Sequence, residues 1–71
     1  MSDDLMALAA LRGCQAQLRA AHFDAHDAAS HLTGARAARA AELAEKLADA
    51  LAQAERLRFI VEADARYEAQ R

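Results

Sequence analysis

This chain of 71 residues has no proline and no tryptophan, two glycines, one cysteine and three aromatic residues, Phe23, Phe59 and Tyr67. Each scarcity excludes something. Without proline, no position kinks or stops a helix by losing a backbone N–H. A single cysteine, Cys14, allows no intrachain disulfide. No cysteine and histidine set has the spacing of a structural zinc site. No uncharged run approaches the roughly 20 apolar residues that a membrane-spanning helix needs. A glycine-rich phosphate loop and a serine–histidine–acid set are both missing. The carboxylates fall on helix faces with no pocket to perturb them. The sequence therefore reads as no enzyme, with no cofactor, no metal, no small-molecule substrate and no membrane partner.

What is abundant is alanine, at 22 residues, with nine leucines set among them at helical spacing. Alanine has the highest helix propensity and proline the lowest, so the fold class expected is all-α. Ser2 or Asp3 can cap a first helix over about residues 3–32, and Asp3 and Asp4 suit the positive end of its dipole. Gly34 is the one good break, since glycine can take the left-handed conformation that ends a helix. A turn at about 33–34 then leads into a second helix over about 35–69. Gly13 lies inside the first helical pattern as a tolerated interior glycine. The expected architecture is one domain over residues 1–71, an antiparallel, coiled-coil-like two-helix hairpin with an alanine-rich seam.

The seam can be assigned by heptads. In the first helix Leu11, Leu18, Ala25 and Leu32 make one row, and Ala7, Cys14, Ala21 and Ala28 the other. In the second, Leu43, Ala50 and Leu57 alternate with Ala40, Leu47, Ala54 and Val61. Alanine burial contributes little apolar area, and a chain this short makes a marginal core. Chains below about 70–80 residues usually need a disulfide, a metal or a partner subunit. With the first two excluded, the sequence predicts a homodimer that closes into a four-helix bundle.

The large residues left off this seam mark the expected binding surface. Phe59, Ile60 and Val61 are consecutive and span roughly 200° of helix, more than one stripe can hide. Leu5, Met6 and Leu8 crowd the start of the first helix, which an antiparallel hairpin sets beside the end of the second. The expected protein-binding residues are thus Leu5, Met6, Leu8, Phe59, Ile60, Ala63 and Tyr67, with Arg56 and Arg66 as a charged rim. Phe23 is a dimer or secondary contact.

Three further groups bear on chemistry. His22 and His26 share a helical face near Asp27, but a zinc site needs a third and usually a fourth ligand. His31, nine residues from His22, falls on the opposite side. Cys14 on the seam acts as a small buried hydrophobe. Arg36, Arg39 and Lys46 form a basic stretch at the turn end and are the contacts of a nucleic-acid-binding alternative. That alternative is similar, in architecture alone, to the Rop-type RNA-binding dimers, whose hairpins grip paired RNA along their helices. A net charge of −2 and the interleaved Glu42, Glu45 and Asp49 weigh against it.

The sequence thus reads as a cytoplasmic protein-interaction module, since Asp3 and Asp4 stand where a secretory n-region would be basic. Its alanine and arginine bias fits a GC-rich bacterium, or a phage or plasmid of one. It is expected to dimerise and to inhibit, occlude or chaperone an unidentified protein. A structural spacer in a larger assembly is the remaining alternative.

Overall fold

The computed structural model describes residues 3–70. Ser2, one of the two candidate caps, lies outside them. Two helices, α1 (Asp3–Ser30) and α2 (Gly34–Ala69), pack against each other as an antiparallel hairpin. At 1.5 Å per residue they run about 42 and 54 Å, and the hairpin measures 56 × 15 × 12 Å.

The first helix ends at Ser30, two residues earlier than its periodicity suggests. The Ser30 hydroxyl donates to the Asp27 carbonyl at 2.6 Å. The His31 and Leu32 amides donate to the Ala28 and Ala29 carbonyls at 3.1 and 3.4 Å. Thr33 is extended, at φ −134° and ψ 160°, and Gly34 has φ +64°. Gly34 does adopt the left-handed backbone, but it opens α2 rather than closing α1. The chain reverses there because a left-handed residue beside an extended one turns it sharply at no Cβ cost.

One row of each assigned seam is in place: Leu11, Leu18 and Ala25 on α1, with Leu32 just beyond its end, and Ala40, Leu47, Ala54 and Val61 on α2 are all buried or half-buried. The other row of each helix is displaced by one residue. On α1 the partner row is Leu8, Gln15, His22 and Ala29; on α2 it is Ala37, Ala44, Leu51, Arg58 and Ala65. Cys14, Leu43 and Leu57, assigned to the seam from sequence, are instead exposed. Hydrophobicity could not separate the two frames. Each places seven leucines or valines in the seam. The observed frame also brings Arg12 to Glu62 and Arg19 to Glu55 across the helices, at 3.3 and 3.4 Å. Exposed pairs contribute only about 0–1 kcal/mol each.

The resulting core is thin. Among the described residues, the buried hydrophobic side chains are Leu8, Ala25, Ala44 and Ala54, and no side chain is fully buried. The accessible surface is 5509 Å², against about 4,300 Å² for a compact monomer of this mass. The radius of gyration is 16.2 Å, against about 11 Å for a compact chain of this length.

The two glycines differ in a way that stability measurements can read. Gly13 sits inside α1 with nothing within 4 Å of the point where a Cβ would stand, whereas Gly34 has positive φ. Gly13→Ala should raise the unfolding free energy by about 0.5–1 kcal/mol. Gly34→Ala should lower it by about 1–2 kcal/mol. Urea titration followed by circular dichroism measures both, and the turn assignment fails if the two changes have the same sign.

Candidate interaction surface

A seam at these positions gives the hairpin two unlike flanks. The first flank adjoins the pairs Arg12–Glu62 and Arg19–Glu55. Gln15, buried in the seam beside it, donates from Nε2 to the Glu55 carboxylate at 3.3 Å. Glu62 also lies 3.9 Å from Arg58 Nε, an ion pair too long to be a hydrogen bond. Nearer the turn this flank becomes a shallow groove floored by Ala29, Ala41, Ala44 and Ala48 and edged by His22, His26 and Glu45. Phe23 and Phe59 stand on the outer edge of this flank, outside the groove, 70% and 72% exposed.

The opposite flank is apolar along its middle, and the Arg12–Glu62 and Arg19–Glu55 pairs that tie the helices together both lie away from it. From α1 it carries Ala7, Cys14, Ala21 and Ala28, one heptad apart. From α2 it carries Leu43, Ala50 and Leu57 at the same spacing, with Ile60 and Tyr67 in the adjoining row. Leu43 and Leu57 are 53% and 49% exposed. A third apolar row beside the two seam rows is the pattern of helices that pack in a bundle rather than in one pair. Both helices carry that third row on the same side.

The residues expected to form one cluster at the open end are distributed around the hairpin by this register. Leu8 is buried in the seam and unavailable as a surface contact. Leu5 and Phe59 lie toward the charge-paired flank, with Arg66. Ile60 and Tyr67 lie on the leucine flank. Met6, Arg56 and Ala63 point away from the seam. The basic stretch is also sorted. Arg36, Arg39 and Lys46 fall on the leucine flank at its turn end, while Glu42, Glu45 and Asp49 fall on other faces. Glu62 pairs with Arg12 and Arg58, not with Arg66 four residues on, and Glu42–Lys46 is not among the ion pairs of the described residues.

Sequence reasoning missed Leu43 and Leu57 as surface residues because it had placed them in the seam. The signal that locates them is present in the chain. Arg12 and Arg19 are seven apart, and so are Glu55 and Glu62. Opposite charges repeating by heptads on two antiparallel helices mark the positions that flank the seam.

His22 and His26 have ring centroids 6.3 Å apart, tilted by 55°. His31 lies 3.5 Å from the Asp27 carboxylate. No group of three or more histidine, cysteine or acidic side chains converges among the described residues. No described helix is long and apolar enough to cross a membrane.

Gln15 provides a test of the seam frame. Its Oε1 is buried and has no hydrogen-bond partner, a state that costs about 1–3 kcal/mol. Gln15→Leu should therefore stabilise the hairpin, raising Tm by about 4–8 °C for each kcal/mol gained. A fall in Tm would mean that position 15 needs its polar group, contrary to its place in an apolar seam.

No family model matches the chain, nor does any curated protein or solved structure match it.

Proposed function

We propose that this chain is a non-enzymatic protein-interaction module. It pairs with a second copy of itself and, as a dimer, regulates another protein in the cytoplasm by covering part of that protein's surface. The observation that carries this reading is an imbalance. Eight large hydrophobic side chains are exposed, while Leu8 is the one large hydrophobic among the buried described residues. Exposed apolar residues at such density mark interaction sites. A rigid helix face laid into a groove, or covering one, is the recognition mode that suits them.

Self-association supplies the surface burial that the thin seam does not. Recognition of the second protein falls to residues on the other side of the hairpin. Phe59 is the anchor, since an aromatic ring carries a large apolar area into a contact. Leu5 extends the apolar contact from α1, and Arg66 gives it a charged edge. Inhibition, occlusion and chaperoning are all served by this one device, a preformed helical surface. Its size and build suit the small regulators of bacteria, phages and plasmids.

Light scattering behind a sizing column should give about twice the 7.7 kDa chain mass. Phe59→Asp should keep that mass and the helical circular dichroism. It should reduce capture of the target from the native host at least about tenfold, the effect of losing one hot spot. The captured complex should persist in about 0.5 M salt, because contacts to nucleic-acid phosphates weaken steeply there and apolar contacts do not. Loss of the complex at that salt, with nucleic acid in the eluate, would replace this reading by the RNA-binding one.

A further inference from the structure

The outer row of α2 on the leucine flank runs Arg36, Leu43, Ala50, Leu57, Asp64, one residue per heptad. Read backwards it runs acid, leucine, alanine, leucine, base. The row is complementary to its own reverse. A second copy turned end for end sets Arg36 against Asp64, Leu43 against Leu57, and Ala50 against its counterpart. On α1 the matching row, Ala7, Cys14, Ala21 and Ala28, is small throughout. The Arg12–Glu62 and Arg19–Glu55 pairs fix the antiparallel register of the hairpin, and in that register Ala21 lies within a turn of the level of Ala50.

We propose that this flank is the interface of a homodimer whose two hairpins run in opposite directions, with a two-fold axis passing beside Ala21 and Ala50. The proposal rests on the reading of the chain as a self-associating module and assigns the face and the orientation. A two-fold interface uses the same patch on both copies, so the patch must complement itself. The Arg36-to-Asp64 row meets that requirement in charge and in shape. A different partner would need no such symmetry in this chain.

The surface area agrees. The hairpin exposes about 1,200 Å² more than a compact chain of its mass. A standard interface takes roughly 800 Å² from each partner, and a flank about 42 Å long and two helices wide has room for it. The other flank is poorly suited, because its arginines and glutamates already neutralise each other within one hairpin.

The charge pattern also accounts for the basic stretch that suggests nucleic-acid binding from sequence alone. Arg36, Arg39 and Lys46 occupy the turn-end half of this face. In the end-for-end dimer they meet the half that carries Ile60, Asp64 and Tyr67. Arginine over tyrosine and arginine beside aspartate are both favourable contacts.

Site-specific cross-linking tests the arrangement. In a Cys14→Ala background, Ala50→Cys should be converted to covalent dimer by a short bis-maleimide. Ala52→Cys, on the opposite flank, should not. Asp64→Arg should weaken the dimer about threefold to tenfold, since two exposed ion pairs are reversed per dimer. Adding Arg36→Asp to the same chain should restore it. These end residues are exposed, so both variants keep the hairpin, which circular dichroism verifies. A dimer that fails to cross-link at position 50 and ignores both charge changes overturns this interface while leaving self-association standing. A wild-type chain that stays a folded monomer at micromolar concentration overturns both.

Discussion

Close approach of two alanine-lined helices is the constraint on which the rest of this structure depends. Ala25, Ala44 and Ala54 are among its few buried side chains. Where they meet the opposite helix there is little side chain between the backbones, so the helices can lie near each other with few large residues in the seam. The same feature keeps the core thin, because a buried alanine removes little apolar surface from water. The hairpin consequently holds a well-defined shape while leaving leucines, phenylalanines and an isoleucine in solvent. Those residues are what the thin seam leaves over, and the proposed function is built on them.

The two flanks show how that constraint divides the surface. On one, long arginine and glutamate side chains reach across the narrow gap and neutralise each other. On the other, α1 contributes alanines and a cysteine, and α2 contributes Leu43 and Leu57, with Arg36, Arg39 and Lys46 gathered toward the turn. One flank is electrostatically complete and the other is apolar along its centre. The proposed self-association makes use of this asymmetry.

Several features were legible in the chain. The alanine content and the absence of proline specify long helices, and Gly34 specifies the turn. Leu11, Leu18, Ala25 and Leu32 on α1, with Ala40, Leu47, Ala54 and Val61 on α2, locate one seam row on each helix, because a heptad repeat marks a face whatever packs against it. The aromatic residues were readable as surface residues, since no frame hides Phe23 or Phe59. The second row of each helix was not legible from hydrophobicity. Gln15, His22 and Arg58 look like poor seam residues, yet they take the places assigned to Cys14, Ala21 and Leu57.

The sequence by itself determined two helices, their antiparallel pairing and their small-residue seam, because propensity, glycine geometry and heptad spacing are local properties of the chain. Only the tertiary structure decided on which side of that seam the surplus leucines lie. Two frames with equal aliphatic content compete, and the observed one sets residues some 36 to 50 positions apart side by side, such as Arg19 with Glu55 and Arg12 with Glu62. That frame exists only once both helices are in place, and it leaves Leu43 and Leu57 at the surface rather than in the core.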